Sequence, residues 1–407
     1  MHVQEESLSR AVQPRSDRVV VRTAARLLRA LRALAMTSAM AALPASAVAQ
    51  SDPGPAVQAY LDSLHTTGRF PGASIAVALP DGRIITAATG WSDSTAKARM
   101  EPDDLMLQGS VGKTYVAAVA LQLVGEGRLR LDEPIGTYLR DEPWFAQLPN
   151  GGRITVRHLM SHTSGLLRYE FDPAVAAELV ANPDKVWTPA ERISYVLDDT
   201  PPFAPGEGWD YSDTNYIVLG VIIERVTGGE LYEEIDRRVL RPHRLTRTVP
   251  SASRVIPGLV QGYAGAQNPF GESDEMIVNG KFVLNPQMEW AGGGFASTTG
   301  DLARWAKVLY EGGAFPHPLL DTMLAGVPAA QLGGNAQYGL GVIIRPGPLG
   351  ITWGHSGFFP GYLTEMRYFP EHRIAVAFQV NTSAPGALGK PPGAIVTDVA
   401  RIVTGSR

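Results

Sequence analysis

The chain has 407 residues, a formal net charge of −4, 44% apolar residues, 43 glycines, 31 prolines and no cysteine. Without cysteine there is neither a disulfide framework nor a thiol to lipidate, and a mildly acidic chain with no basic stripe is not built to bind nucleic acid. The abundant glycine and proline suit a loop-rich globular enzyme.

In chain order, Arg22, Arg26, Arg29 and Arg32 precede an apolar run over residues 34–43. Pro44 and the small residues of Ala45-Ser46-Ala47-Val48-Ala49-Gln50 follow, spaced for signal-peptidase cleavage after Ala49. The apolar run is too short to span a bilayer, and the leader has no adjacent arginine pair for twin-arginine export. Residues 1–49 therefore read as a signal peptide, and the protein as periplasmic or secreted, with no membrane span after cleavage. Removing the leader leaves 29 Lys and Arg against 37 Asp and Glu, a formal charge of −8.

Residues 50–407 are long enough for one two-lobed unit. Residues 55–64 read as an amphipathic helix. Residues 74–79 and 84–89 flank the turn Pro80-Asp81-Gly82-Arg83, a strand–turn–strand pattern. A helix opens at Ser110, continues through Leu123 and stops near Gly125 and Gly127. A helical and irregular stretch reaches to about residue 290 and contains an apolar helix over 217–226. Extended runs return at 340–345, 364–369 and 374–380, and a last helix covers 394–403. Strands at both ends with helices between predict an α/β protein of the α+β type. One antiparallel sheet (about 50–105 and 290–407) is flanked by helices and carries an inserted, mainly helical lobe (about 106–289). A site is expected in the cleft between lobes.

Three segments can carry chemistry. In Ser110-Val111-Gly112-Lys113 a serine stands three residues ahead of a lysine on one helix face, so hydroxyl and amine share a space. Serine needs a base within hydrogen-bond reach to become a nucleophile. The other two are Tyr211-Ser212-Asp213-Thr214-Asn215-Tyr216 and Trp353-Gly354-His355-Ser356-Gly357-Phe358. Taken singly, each has a plain structural role. Tyr211 is an ordinary buried aromatic, His355 a polar residue at a strand edge, and Ser356-Gly357 a turn. Asp213 is then the cap of a helix starting near Thr214. Rival motifs fail. Gly112-Lys113-Thr114 lacks the upstream glycine of a phosphate loop, where Leu107 stands. His158 and His162 have zinc-ligand spacing, but Leu159 occupies the general-base position. No G-x-S-x-G elbow occurs.

The order and wide separation of the three segments resemble the site motifs of the serine β-lactamase superfamily. The likeness is to the branch of class C β-lactamases, D-alanyl-D-alanine carboxypeptidases and related esterases. Ile154 to Leu166, Leu131-Asp132-Glu133-Pro134 and Gly292 to Thr298 are similar to that branch too, so the resemblance covers nearly all of residues 55–404. It implies a β-lactamase/transpeptidase-like fold and an acyl-enzyme on Ser110, with no metal and no cofactor. Lys113 would sit against the serine, and Tyr211 would act as a phenolate-like base held by the lysine charge. The backbone N–H groups of Ser110 and Phe358 would form the oxyanion hole. Asp213, His355, Ser356 and Gly357 would meet the substrate, Gly357 by letting the strand approach it closely.

Two residues depart from the β-lactamase pattern. Lysine is frequent where this chain has His355, which is a weaker fixed anchor for a substrate carboxylate but is cationic below its pKa. Asparagine is usual where this chain has Asp213, and an ionised aspartate only accepts hydrogen bonds. Asp213 would also hold Lys113 protonated and move the base role to Tyr211. Both changes count against efficient β-lactam hydrolysis. The resemblance thus implies a small peptide, ester or β-lactam as substrate, with D-alanyl-D-alanine carboxypeptidase-like action leading. A small-acyl esterase, a weak β-lactamase and a penicillin-binding sensor are the alternatives.

Overall fold

The computed structural model describes residues 52–266, 268, 274–384 and 386–406; the expected leader, residues 1–49, lies outside them. Among the described residues, nine strands form one antiparallel sheet. They are β1 (Gly72–Ala78), β2 (Ile84–Asp93), β3 (Ala98–Arg99), β4 (Val327–Pro328), β5 (Gln337–Tyr338), β6 (Ile343–Gly347), β7 (Gly350–Phe359), β8 (Tyr362–Phe369) and β9 (Ile374–Val380). Their spatial order is β3-β2-β1-β9-β8-β7-β6-β5-β4. The helices that matter below are α1 (Gly54–Thr67), α2 (Lys113–Gly125), α3 (Val156–Met160), α4 (Asp213–Thr227), α5 (Thr299–Tyr310) and α6 (Pro392–Thr404).

Alternation along β1 and β9 sets the layers. Successive strand residues point to opposite faces. Ile75, Val77, Val376 and Phe378 join Val57 and Leu61 of α1 and Ile395 and Val399 of α6 in one cluster. Ala76, Ala78, Ala375 and Ala377 point the other way and pack with Leu302 and Trp305 of α5. Large aliphatics thus fill one side, while alanines let α5 lie close on the other. Between the sheet's two sequence portions lies the helical insertion, whose α2 and α4 are buried along most of their length. A helix buried on every side belongs to a core, and these two place the first two motif segments.

The expected architecture is present, with local corrections. The run at 340–345 becomes a strand only from Ile343, because Gly341 turns the chain first at φ +80°. The helix expected from Ser110 opens instead as a 3-10 turn, Gly109–Gly112, and becomes α-helical at Lys113. Residues 350–359 form a full strand, β7, which a sequence rich in glycine, histidine and serine conceals. No helix among the described residues is long and apolar enough to cross a membrane.

Candidate active site

The site is built where the turn carrying Ser110 meets β7. Gly109 adopts φ +55°, in the left-handed region that favours glycine. A Cβ there would also strike the backbone of Phe358, whose nitrogen would lie 2.7 Å away. At Gly357 a Cβ would run into the carbonyl oxygen of Gln108. Gly357 was expected to admit the substrate; the space it leaves is filled by the serine turn itself. The two glycines let strand and turn come into backbone contact and bring the Ser110 and Phe358 backbones together.

Lys113 is fully buried. Its ammonium donates to Ser110 Oγ at 3.0 Å and to the Gly292 carbonyl, and lies 2.6 Å from Asp213 Oδ1. Burial alone would lower the amine's pKa, but the Asp213 carboxylate, with Tyr211 adding to it, more than reverses this and raises it. Lys113 therefore holds its proton, as expected of a lysine facing an aspartate. Asp213 is not the helix cap that it could have been: α4 starts at Asp213, so the cap position is Ser212. The Ser212 hydroxyl donates to the Leu167 carbonyl, and the Asp213 carboxylate reaches Lys113.

The ammonium also lies 4.9 Å from the centre of the Tyr211 ring. The Tyr211 hydroxyl is buried and makes no well-aligned hydrogen bond among the described residues. Burial raises its pKa, Lys113 and the nearby Ser110 hydroxyl oppose this and Asp213 adds to it, so that the phenol is pushed up to about 12. The cationic neighbour expected beside Tyr211 is there, but desolvation outweighs it, so the resting group is a phenol that must ionise before it can act as the expected phenolate-like base.

The charge of His355, which its sequence context leaves open, follows from its surroundings. Its ring is buried beside Tyr338, with Nδ1 2.6 Å from the Ser356 carbonyl and Nε2 3.0 Å from the Tyr338 hydroxyl. A carbonyl only accepts, so Nδ1 carries the proton and Nε2 accepts from Tyr338. Burial, then the charge of Lys113, holds its pKa down to about 3. His355 is neutral at any working pH and supplies no positive charge to a substrate.

Ser110, Tyr211, His355, Ser356, Gly357 and Phe358 all line one cleft of about 650 Å³. Lys113 and Asp213 lie beneath its wall. The expected residues therefore come together around one hydroxyl.

The β-lactamase family profile matches residues 56–399. The chain belongs to the β-lactamase family. Within that family it is 26% identical over 302 residues to penicillin-binding protein 4* of Bacillus subtilis, covering 72% of this chain and 64% of the relative. It is 25% identical over 334 residues to a D-aminopeptidase of Brucella anthropi, covering 80% of this chain and 59% of the relative. The chain thus spans about three-fifths of the length of these curated relatives. The D-amino acid amidase of Ochrobactrum anthropi SV3, solved with D-phenylalanine, superposes with a TM-score of 0.75 at 26% identity, covering 88% of this chain and all of that one.

In this member of the β-lactamase family the site also gathers residues that motif reading passed over. His162 was set aside as half of a false zinc pair, and the structure separates that pair. His158 caps α3 through Thr155, while His162 lies beyond the helix at φ +58°. There its ring stacks on Tyr211 with centres 4.2 Å apart. Its Nδ1 takes hydrogen bonds from the Ser212 backbone N–H at 3.3 Å and the Asn215 amide at 3.1 Å. Burial, reinforced by Lys113, keeps the ring neutral. Arg168, on the cleft wall, sits 5.4 Å from the Tyr211 ring centre and pairs with Glu170 at 2.7 Å. Burial and the Asp213 charge push the Glu170 carboxyl up to about 7 and the Glu289 carboxyl well above its usual range.

Proposed function

We propose that the protein is a serine hydrolase that cleaves peptide or amide bonds formed by D-amino acid residues, in the manner of a D-alanyl-D-alanine carboxypeptidase. One observation carries the reading: Ser110 Oγ at 3.0 Å from a buried, protonated lysine, with the Tyr211 ring 4.9 Å from that ammonium, all at one cleft. The likeness to a D-aminopeptidase and a D-amino acid amidase supports the choice of bond. So does Asp213, which cannot donate to a β-lactam side-chain carbonyl as asparagine would.

The steps follow from the charges. Lys113 is locked as an ammonium by Asp213, so it orients Ser110 and does not accept its proton. Tyr211, ionised in the reactive minority of molecules, takes the proton of Ser110 as Oγ attacks the carbonyl carbon. The oxyanion is received by the backbone N–H groups of Ser110 and Phe358; losing one such donor typically costs about 2.7–4 kcal/mol. Tyr211 returns the proton to the leaving nitrogen as the C–N bond breaks. Water then attacks the acyl-serine, giving a proton to Tyr211; as the acyl C–O bond breaks, Tyr211 passes that proton to Ser110 Oγ, which releases the acid product and restores both residues. Export is part of the proposal, supported by the leader sequence; a mature N-terminus at Gln50 would be its signature.

The test is to offer the protein a D-Ala-D-Ala peptide, a p-nitrophenyl ester and a fluorescent penicillin beside Ser110→Ala. Peptide turnover lost by about 10⁴-fold or more in the variant is expected, as for other catalytic serines. Ester turnover without peptide turnover would point to an esterase, and stable penicillin labelling without turnover to a sensor. Full activity in Ser110→Ala would remove the assignment altogether.

A further inference from the structure

Two cations flank the ring of Tyr211, and each has its own carboxylate. Lys113 lies 4.9 Å from the ring centre and 2.6 Å from Asp213. Arg168 lies 5.4 Å from the ring centre, and its Nε donates to Glu170 Oε1 at 2.7 Å. The other titratable groups near Tyr211 bring no charge. His162, beyond α3, and His355, on β7, are held neutral chiefly by burial, which also pushes the phenols of Tyr216 on α4 and Tyr338 on β5 well above their usual range. Glu289 is buried within range of Asp213 and Lys113, and keeps its proton because burial and then Asp213 resist its ionisation. With the third motif uncharged, Arg168 is the second positive charge that a Tyr211 phenolate meets.

The chain on both sides of Arg168 is tied to the residues that follow Tyr211. The Leu167 carbonyl accepts from the Ser212 hydroxyl at 2.9 Å and from the Thr214 hydroxyl at 2.7 Å, and the Tyr169 N–H donates to the Thr214 oxygen at 3.2 Å. Tyr169 is itself buried and donates its hydroxyl to the Met288 carbonyl at 2.6 Å. The guanidinium also rests on the Phe171 ring, 3.9 Å from its centre. A cation is attracted to an aromatic face, so Phe171, which is 68% exposed, keeps the arginine against the cleft wall. Glu170 is less well served. Its side chain is nearly buried, and its Oε2 has no hydrogen-bond partner among the described residues. Burial first, then the Asp213 charge, push its carboxyl up to about 7 against the pull of Arg168. Above that pH the four charges around Tyr211 cancel. Below it Glu170 takes a proton, and one positive charge is left over.

We propose that Arg168 is a positioning residue that favours the ionised form of Tyr211, and that Glu170 sets how much of its charge Tyr211 meets. The inference rests on the hydrolase reading above and deepens it, by naming what makes the phenolate accessible where His355 contributes no charge. An opposite charge within about 4–6 Å typically favours an ionised acid about tenfold or more. Glu170, when ionised, offsets part of that.

The experiment follows acylation of Ser110 by p-nitrophenyl acetate, a small uncharged ester, from mildly acidic to mildly alkaline pH. Release of p-nitrophenol gives the rate, and the mass of the acyl-enzyme shows that Ser110 carries the acyl group. Arg168→Gln is expected to slow acylation about tenfold across the range, and Arg168→Lys to recover most of the loss. Glu170→Gln keeps the shape and removes the negative charge. It is expected to speed acylation about three- to tenfold at alkaline pH, a gain that shrinks as the pH falls below about 7, where Glu170 already holds a proton. A pair that served only the fold would slow the reaction in both variants and at every pH. Slower acylation in Glu170→Gln at alkaline pH, a gain that does not change with pH, or Arg168→Lys no faster than Arg168→Gln overturns the proposal while the hydrolase reading stands. If Ser110 is not acylated even in the wild-type protein, the hydrolase reading falls and takes the role of Arg168 with it.

Discussion

Lys113 and Arg345 are two cations of one site, held in opposite ways. Lys113 is fully buried, and its ammonium meets a carboxylate, a hydroxyl and a carbonyl. Arg345 is half-buried and has one long contact to a carbonyl. The first charge is satisfied before any substrate arrives, which makes it part of the fold as much as of the chemistry. The second has no carboxylate within ion-pair distance among the described residues. The contrast separates a charge that organises the site from one that the fold leaves open.

The largest effect should come from breaking the satisfied pair. Lys113→Met leaves the Asp213 carboxylate buried without its cation, which typically destabilises by about 3–5 kcal/mol. Chemical denaturation should show that loss, together with abolished turnover. Adding Asp213→Leu removes the stranded charge and should restore much of the stability but none of the activity. If Lys113→Met unfolds at the wild-type denaturant concentration, the pair is not the structural element described here.

How much of this could be read from the chain differs between the same two residues. Ser110, Lys113, Tyr211 and Asp213 announce themselves by type and order, and the turn Pro80-Asp81-Gly82-Arg83 between two extended runs announces the first strand pair. The charge states do not announce themselves. That Tyr211 rests as a phenol and His355 as a neutral ring follows from desolvation, which only the packed structure defines. The extent of β7 was hidden for a related reason: Gly354, His355, Ser356 and Gly357 are poor strand formers, and the pairing with β6 and β8 imposes the extended backbone. Arg345 was invisible, because lacking a partner is a property of the neighbours and not of the residue. His162 carried a misleading signal: its spacing from His158 suggested a metal, and the real relation is a ring stacked on Tyr211.

A smaller effect is expected from loosening the satisfied pair while keeping its shape. Asp213 raises the pKa of Tyr211 and of Lys113 alike. Because the free enzyme's phenol titrates at about 12, kcat/KM should climb with pH through the neutral and mildly alkaline range without levelling. Asp213→Asn removes the carboxylate's repulsion of the phenolate, so the reactive form appears at lower pH and the rising limb moves down the pH scale. By the same route, the change should raise acylation by a β-lactam at neutral pH. A wild-type plateau already at pH 7, or an unmoved limb in the variant, would refute the role given to Tyr211.

The smallest effect is the most discriminating for the open cation. If Arg345 contributed to the fold as Lys113 does, Arg345→Gln would destabilise the protein measurably. Its guanidinium is instead desolvated without a carboxylate partner; burial lowers its pKa, so folding is working against the charge. Replacing it with a neutral amide removes that opposition and gives up one 3.4 Å contact. The expected change in unfolding free energy is within about 0.5 kcal/mol of zero, on the stabilising side if it departs from it. A loss comparable to that of Lys113→Met would mean that the cation serves the fold after all. Near-neutral stability is the pattern of a charge that the fold does not use.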